Sequence, residues 1–261
     1  MKRMPFISVV LTTHRRPSLL VRALESLLSQ NFSDYEIILC ADESSRETRE
    51  IANTLLRDCD SFISTPNLQG PAGTRNIGIT LASGEWICFL DDDDSLSGGY
   101  FEMASAHLQN SNNVHFFNFT EIKEERLNNS IVKKLESKKD LSNISADQLF
   151  LGNFIPLNAL FVPNGIAKLS LFDLTLQSHE DWDWLVSLRS KSNNFSHHNF
   201  YGPNVHIDTS SSRNSDAINS GSRTLDFLSI YRKWPANSEE IRHKREEIMS
   251  GMGLPIPNFF L

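Results

Sequence analysis

The stretch Glu85-Trp86-Ile87-Cys88-Phe89-Leu90-Asp91-Asp92-Asp93-Asp94-Ser95 organises this chain. Its apolar part, Trp86 to Leu90, follows Gly84 and is typical of a short strand buried on both faces, as in a parallel sheet. Four aspartates then repel one another where the strand ends. Ligands of open α/β sheets bind outside the carboxyl ends of the strands, and a divalent cation with oxygen ligands would stabilise such a cluster. A solvated acidic turn is the alternative interpretation.

The composition describes an ordinary globular protein. The 261 residues are 39% hydrophobic and 22% charged, which favours one large domain with a sizeable core. The net charge of −7 argues against a general nucleic-acid binder. No apolar run reaches the roughly 18 residues of a transmembrane helix, and the run Phe6 to Leu11 is more typical of a strand than of a signal peptide. Cys40 and Cys88 fall within predicted strands, which indicates buried thiols in a cytoplasmic protein.

Strands and helices alternate through the first half of the chain. The predicted strands are Phe6 to Thr12, Tyr35 to Ala41, Ser61 to Ser64 and Trp86 to Leu90. Pro17, Ser45 and Gly70 are each expected at the start of a helix between two of these strands. This order predicts βαβ units with right-handed crossovers, hence an α/β fold with a mostly parallel central sheet flanked by helices.

Loops from three strands are expected to meet at the carboxyl edge of this sheet. With the helix after Gly70 they carry Thr13, His14, Arg15, Asp42, Arg75, Asn76 and the four aspartates. Carboxylates can accept from a nucleobase, an imidazole can stack on it, and guanidinium groups can pair with phosphate. Taken singly, His14 and Arg15 are more typical of surface side chains and Asp42 of a helix cap. The chain lacks Gly-x-Gly-x-x-Gly and Gly-Lys-Ser/Thr motifs, which leaves a metal that bridges a diphosphate.

These motifs resemble those of GT-A fold, family 2 inverting glycosyltransferases. The resemblance covers about residues 6–210 and rests on three stretches, Ser8 to Pro17, Ile37 to Ser44 and Gly73 to Asp94. The family's Asp-x-Asp motif corresponds to Asp91-Asp92-Asp93. Ala41 and Glu43 depart from the Asp-Asp-Gly-Ser sequence that the family usually has beside the base pocket.

The resemblance implies a donor that is a nucleotide-diphosphate sugar, with UDP as the expected nucleotide, and Mn²⁺ or Mg²⁺ as the cofactor. Asp42 would contact the nucleobase, with Thr13 and His14 beside it. Arg15 would belong to the same nucleotide pocket, and Arg75 would line it.

The resemblance also assigns the acids that follow the fourth strand. Asp91 would hold the ribose and Asp93 would coordinate the metal, with Asp92 in the same donor site. On the last predicted strand, His206 is a second candidate metal ligand, and Arg213 beyond it is a candidate for phosphate binding. A hydrogen-bonded strand histidine is the alternative for His206.

A second chemical landmark is His179-Glu180-Asp181-Trp182-Asp183-Trp184-Leu185, at the start of a predicted helix. By itself it is an acidic first turn favoured by the helix dipole. The resemblance makes Asp181 the general base, which would take a proton from an acceptor hydroxyl as its oxygen attacks the anomeric carbon. Trp182 and Trp184 are expected in the core rather than stacked on a sugar.

The remaining elements are less distinctive. The sequence predicts strands at Val114 to Thr120 and Tyr201 to Ile207, an exposed loop or hairpin at Glu121 to Asp140, and helices at Thr224 to Lys233 and Glu239 to Met252. The expected domain is 1–222, with a nucleotide-sugar-binding half (1–110) and an acceptor-side half (111–222), followed by a helical extension (223–261).

The last predicted helix has a thin apolar stripe between basic residues. The stripe comprises Ile241, Ile248 and Met252, and the basic residues are Arg242, Lys244 and Arg245. This pattern is compatible with peripheral attachment to a membrane, although an ordinary C-terminal helix is the favoured interpretation.

The sequence therefore predicts an inverting, metal-dependent glycosyltransferase of bacterial surface polysaccharide biosynthesis. Its acceptor would be a glycan or a lipid-linked oligosaccharide, at the cytoplasmic face of the membrane. A sugar-nucleotide nucleotidyltransferase is one alternative, but it would need a glycine-rich loop where Thr12 to Pro17 has no glycine. A catalytically silent sugar-nucleotide-binding protein is the other, and it would not need both Asp93 and Asp181. The sequence does not decide the donor sugar, the linkage or the oligomeric state.

Overall fold

A sheet of nine strands runs through the described part of the chain, which comprises residues 4–43, 45–65, 70–127, 130–176, 178–191, 194–209, 220–257 and 260 of a computed structural model. The strands are β1 (Ile7–Thr13), β2 (Tyr35–Asp42), β3 (Ser61–Thr65), β4 (Trp86–Asp91), β5 (Ser95–Leu96), β6 (Val114–Leu127), β7 (Ser130–Lys139), β8 (Leu160–Pro163) and β9 (Phe195–Asp208). Their order is β3-β2-β1-β4-β8-β6-β9-β5, with β7 paired to β6.

The first four strands are parallel, as the alternation of strands and helices predicted. Strand β1 pairs with β2 and with β4, and β2 pairs with β3. The connecting helices are α1 (Pro17–Leu28), α2 (Arg46–Leu55) and α3 (Gly70–Leu81). Antiparallel pairs occur in the second half, where β8 lies between β4 and β6 and where β5 pairs with β9. The sheet is thus parallel in its first half and mixed in its second.

Local signals account for where these elements begin. Pro17 occupies the first position of α1, where its missing N–H costs nothing. Ser45 caps α2, and its hydroxyl oxygen accepts from the Thr48 N–H at 3.0 Å. In the second half the strands are longer than predicted, because β6 continues to Leu127 and β9 begins at Phe195. The polar segment after Thr120 forms a hairpin of β6 and β7, one of the two forms expected from its sequence.

Helices cover both faces of the sheet. The remaining ones are α4 (Tyr100–Leu108), α5 (Asn164–Lys168), α6 (Glu180–Lys191), α7 (Ser220–Lys233) and α8 (Glu239–Gly251). Trp182 and Trp184 are fully buried in the core under α6, as expected, and the Trp182 indole N–H donates to the Leu149 carbonyl at 2.7 Å. Cys40 and Cys88 are buried as predicted, and burial raises the pKa of the Cys40 thiol to about 12. No helix in the described ranges is long and apolar enough to span a membrane.

Helix α8 packs onto the domain through Arg245, which is fully buried. Its Nε donates to the Phe150 carbonyl at 2.8 Å and its Nη1 to the Tyr231 carbonyl at 3.1 Å. Burial lowers the pKa of this guanidinium to about 10. The side chain thus neutralises backbone carbonyl dipoles inside the protein, and α8 is the ordinary C-terminal helix that the sequence favoured. The aliphatic residues that join the same core are Ile241, Met249, Leu254 and Ile256.

Gly78 lets α3 approach β1 closely. A Cβ at this position would lie 2.2 Å from Val10 Cγ1, and the buried, β-branched Val10 has restricted χ1 freedom. We expect Gly78→Ala to lower the free energy of unfolding by about 1–3 kcal/mol, because α3 must move away from the sheet. Urea denaturation would measure this. Gly165→Ala in α5 is the matched control, because nothing lies within 4 Å of its Cβ. Equal stability of the Gly78→Ala variant and the wild type would contradict the close packing.

Candidate active site

A cleft of about 590 Å³ opens at the carboxyl ends of β1, β2 and β4. Six residues selected from the sequence line it, namely Thr13, His14, Arg15, Asp42, Arg75 and Asp91. They come from four separate segments, which the parallel strands bring to one edge of the sheet. The structure therefore assembles most of the predicted nucleotide pocket in one place.

Asp42 lies at one side of this cleft, where it orders the start of α3. Its Oδ2 accepts from the Gly70 N–H at 3.1 Å, and its Oδ1 accepts from the Thr65 hydroxyl at 3.3 Å. Gly70 has a φ of +66°, in the left-handed region that favours glycine. The Nδ1 of His14 lies 2.7 Å from the Asp42 carbonyl oxygen, and the rest of the ring is partly exposed. A flat ring and a carboxylate thus border the same space.

Asp92 is buried and does not line the cleft. Its Oδ2 accepts from the Thr13 hydroxyl at 2.7 Å and from the His14 N–H at 3.2 Å. Its Oδ1 lies 3.0 Å from Nη2 of Arg16. Burial raises the pKa of Asp92 to about 6, although Arg16 and Thr13 oppose the shift. The contacts indicate that Asp92 fixes the loop between β1 and α1, and its assignment to the donor site stays a prediction.

Arg75 joins the end of β4 to the start of α6. Its Nη2 donates to both oxygens of Asp91, at 2.9 and 3.0 Å, and its Nη1 donates to Oε1 of Glu180 at 2.8 Å. The guanidinium is buried, which opposes its charge, but Asp91 and Glu180 raise its pKa above the ordinary value. Conversely, burial opposes the ionisation of Asp91, yet Arg75 and the Thr12 hydroxyl hold its pKa below the usual range. The ion pairs bring two distant segments together at the cleft.

Asp181 follows Glu180 and so lies beside this group of charges. Its Oδ1 accepts from the Trp182 N–H and its Oδ2 from the Asn153 side-chain amide, both at 2.8 Å. Burial and the neighbouring Glu180 raise the pKa of Asp181 to about 6, against the opposite effect of Arg75. A carboxylate with a pKa near neutrality is suited to take and release a proton.

Asp91 and Asp93 present partly exposed carboxylates, at 34% and 37% of their side-chain surface. Arg75 pairs with Asp91 and Arg16 pairs with Asp93. Oxygen ligands of this kind suit Mg²⁺ and Mn²⁺. Among the described residues, no three His, Cys, Asp or Glu side chains are grouped so as to hold a metal. The chemistry of these two donors fits such an ion, but the other ligands would have to come from a bound diphosphate or water.

His206 is engaged on both sides of its ring. Its Nδ1 lies 2.6 Å from Oε1 of Glu124, its Nε2 lies 2.8 Å from the Ser95 hydroxyl, and its backbone N–H donates to Oδ1 of Asp94 at 2.9 Å. This is the geometry of a hydrogen-bonded strand histidine, the alternative that the sequence left open. The metal-ligand assignment of His206 stays a prediction, and Arg213 lies outside the described residues.

Three further residues of the site were not among the site residues predicted from the sequence. Arg16 pairs with two of the aspartates, Glu180 pairs with Arg75, and Asn153 binds Asp181. A third basic position in the loop after β1 was a weak signal for Arg16. Asn153 gives no signal, because it lies in a mostly apolar loop, 28 residues from its partner.

Comparisons with known proteins identify the family. The model described as "Glycosyl transferase family 2" matches residues 8–162. A GalNAc(5)-diNAcBac-PP-undecaprenol β-1,3-glucosyltransferase of Campylobacter jejuni is 42% identical over 99 residues, which are 37% of this chain and 32% of that protein. A UDP-Glc:α-D-GlcNAc-diphosphoundecaprenol β-1,3-glucosyltransferase of Escherichia coli is 33% identical over 91 residues, 35% of this chain and 36% of the relative. The matched region thus spans about a third of each relative.

Solved structures show the same fold. Staphylococcus aureus TarS 1-349 in complex with UDP-GlcNAc aligns with a TM-score of 0.71 at 18% identity, over 93% of this chain and 71% of that one. The mannosyltransferase PcManGT from Pyrobaculum calidifontis, in complex with GDP-Man and Mn²⁺, aligns with a TM-score of 0.62 at 11% identity, over 97% and 74%. The GT-A fold expected from the sequence is confirmed.

Removal of Arg75 should destabilise the protein strongly. We expect Arg75→Met to lower the free energy of unfolding by about 3 kcal/mol, because it leaves two partly buried carboxylates unpaired beside each other. Chemical denaturation would measure the loss. Arg46→Met is the control, because Arg46 is 92% exposed and its ion pair with Glu50 should contribute less than about 1 kcal/mol. Equal, small losses in both variants would show that the Arg75 ion pairs do not hold the site.

Proposed function

We propose that this chain, which belongs to glycosyl transferase family 2, transfers a hexose from a UDP-sugar to a hydroxyl group of a lipid-linked glycan. One observation carries the proposal. Arg75 binds Asp91 at the edge of the cleft and Glu180 on α6, so the acid best suited to act as a base, Asp181, lies next to the space where a nucleotide sugar would bind.

The donor would bind in the half formed by residues 1–110. In this arrangement Asp42 accepts from the nucleobase, His14 stacks on it, and Thr13 lies beside both. Asp91 would hold the ribose, and the exposed guanidinium of Arg15 would contribute positive charge. UDP is supported by the names of the Escherichia coli relative, which uses UDP-Glc, and of the TarS complex, which contains UDP-GlcNAc.

Asp93, with Asp91 beside it, would hold Mn²⁺ or Mg²⁺. A bound ion would supply positive charge against the developing charge of the departing diphosphate. The PcManGT structure contains Mn²⁺, which supports this choice of cofactor. The arginines that now neutralise the two carboxylates would then be available to the phosphate groups.

The transfer would be one direct displacement at the anomeric carbon. The acceptor oxygen attacks that carbon while Asp181 takes the hydroxyl proton, and the bond to the diphosphate breaks with its electron pair. UDP leaves from the opposite side, so the configuration inverts. Asn153 would keep the Asp181 carboxylate in position through its amide N–H.

The acceptor would approach from the half formed by residues 111–222. The named relatives from Campylobacter jejuni and Escherichia coli act on undecaprenol-diphosphate-linked glycans. A similar acceptor would place the reaction at the cytoplasmic face of a bacterial membrane. No property of the cleft favours the nucleotidyltransferase alternative, whose glycine-rich loop is missing from the β1–α1 connection.

Substitution of the two acids should separate binding from chemistry. We expect wild type to release UDP from UDP-glucose when a lipid-diphosphate-linked acceptor and Mn²⁺ are present. Asp181→Asn should lower the transfer rate by about 10²–10⁴-fold and keep UDP-sugar affinity, because it removes only the base. Asp93→Asn should also weaken the Mn²⁺-dependent affinity, measured by calorimetry.

Asp147→Asn is the matched control, since this acid pairs with Arg189 away from the cleft and should leave the rate unchanged. Transfer at the wild-type rate in the Asp181→Asn variant would refute the base assignment. Exchange of inorganic diphosphate into the nucleotide sugar, without transfer, would favour the nucleotidyltransferase.

The rate should rise with pH around the pKa of Asp181. Because the base acts when ionised and its pKa is raised to about 6, the transfer rate should be half-maximal near that pH and fall below it. The Asn153 amide stabilises the ionised form, so Asn153→Ala should raise the pKa and move the profile to higher pH. Rates measured across this range with both variants would test it. A profile that is flat through pH 6, or that Asn153→Ala leaves in place, would contradict this role.

A further inference from the structure

The hairpin of β6 and β7 extends past the edge of the sheet at which the cleft opens. Phe161 of β8 pairs with Cys88 of β4 on one side and with His115 of β6 on the other. Cys88 and His115 therefore lie at the same height along their two strands. Strand β4 ends three residues after Cys88, at Asp91. Strand β6 runs in the same direction and continues to Leu127, nine residues beyond the level of Asp91, and β9 accompanies it as far as Glu124.

The base of the hairpin is fixed to the aspartate loop. Glu124 is buried and lies 3.1 Å from Nη1 of Arg22, whose Nη2 donates to the main-chain carbonyl of Asp93. The same carboxylate binds His206 on β9. These contacts set the position of the projecting part relative to the acids at the end of β4.

The projecting strand β7 exposes aliphatic and basic side chains together. Ile131, Val132 and Leu135 are 48%, 57% and 62% exposed, and Lys133 and Lys134 lie between them. These five consecutive residues project their side chains to both faces of the strand, and we call them together the hairpin surface. Residues 121–139, which form the hairpin, carry six basic and four acidic side chains, whereas the whole chain has a net charge of −7. Lys134 also pairs with Glu136 at 2.8 Å. The hairpin is therefore moderately positive in an acidic protein, and it exposes aliphatic side chains where a solvated strand would be polar.

We propose that the hairpin surface docks on an anionic phospholipid membrane and so holds the cleft next to a lipid-linked acceptor. This inference rests on the proposed function for the acceptor, but the docking itself does not. Lysines near an anionic bilayer are attracted to it, and aliphatic side chains enter the boundary between headgroups and acyl chains. Both kinds of group are present in the hairpin surface, beside the edge at which an acceptor would react.

Two other features of the described chain favour a membrane, rather than a second copy of the chain, as the partner of the hairpin surface. The register of β6 and β7 shifts between Glu125 and Arg126, and such irregularities, like edge lysines, hinder the addition of another strand. The sequence offered helix α8 as a possible membrane contact. In the structure, Arg245 and Met249 of this helix are buried in the core of the domain. A membrane surface therefore fits the hairpin better than a second copy of the chain does.

Vesicle flotation of the full chain tests the inference. The vesicles contain phosphatidylcholine alone or an equimolar mixture with phosphatidylglycerol. We expect binding only to the mixture, weakened by salt, and reduced at least about tenfold by Lys133→Gln with Lys134→Gln. Ile131→Ser with Leu135→Ser should reduce it as well. Arg242→Gln with Lys244→Gln on α8 is the charge-matched control and should bind like wild type. All four side chains of the two hairpin variants are exposed, and thermal denaturation would confirm their folding.

The outcomes separate this inference from the proposed function. Equal binding to both vesicle types, wild-type binding by both hairpin variants, or loss in the α8 control would overturn the docking. A dimer in solution that Ile131→Ser with Leu135→Ser dissociates would instead make the hairpin surface an interface between copies. UDP release with a water-soluble acceptor should be unaffected by the hairpin changes. If wild type shows no such release yet binds the anionic vesicles, the proposed function fails and the docking stands.

Discussion

The structure depends on how it accommodates four consecutive carboxylates at the end of a buried strand. Every one of the four has a partner, and Arg16 serves two of them: Arg75 binds Asp91, Thr13 and Arg16 bind Asp92, Arg16 binds Asp93, and Asn158 with the His206 N–H binds Asp94. Burial together with Asp93 raises the pKa of Asp94 well above its ordinary value. Because the partners come from four separate segments, the acidic run also fixes those segments relative to one another. The repulsion that makes the cluster costly is thus the reason that the surrounding elements converge.

The two halves of the sheet contribute different things to the site. The parallel half supplies the cleft, since its loops all leave at one edge. The second half of the chain supplies Glu180, which pairs with Arg75 at the cleft, and the neighbouring pair of Asp181 and Asn153. Strand β8 joins the two halves by running between β4 and β6 in the opposite direction. Strand β6 runs parallel to β4, toward the edge at which the cleft opens. Its Glu124 pairs there with Arg22, which in turn donates to the main-chain carbonyl of Asp93. The catalytic arrangement proposed for this family member therefore needs both halves.

Two buried guanidinium groups, those of Arg75 and Arg245, also hold separate segments together. Arg75 binds two carboxylates, whereas Arg245 donates to two backbone carbonyls and lies over the face of Tyr231, 4.3 Å from the ring centroid. The first arrangement raises the arginine pKa and the second lowers it. One organises the cleft and the other attaches the C-terminal helices to the domain. The same residue type thus has opposite electrostatic surroundings in the two places.

The sequence by itself determined the parallel half of the fold, the family, and most residues of the cleft. Strand burial, helix starts and the aspartate run are local properties of the sequence. The strand and acids of Trp86 to Asp94 and the helix starts at Pro17 and Ser45 could therefore be predicted without knowledge of their tertiary contacts. The tertiary structure alone decided which acid of the run lines the cleft, because Asp91 and Asp92 are adjacent in sequence, yet Asp91 borders the cleft and Asp92 is buried under the β1–α1 loop. It also decided that Arg245 is buried, that His206 binds Glu124, and that Asn153 reaches Asp181. Those contacts join residues 28 to 95 positions apart, and no local pattern encodes such a distance.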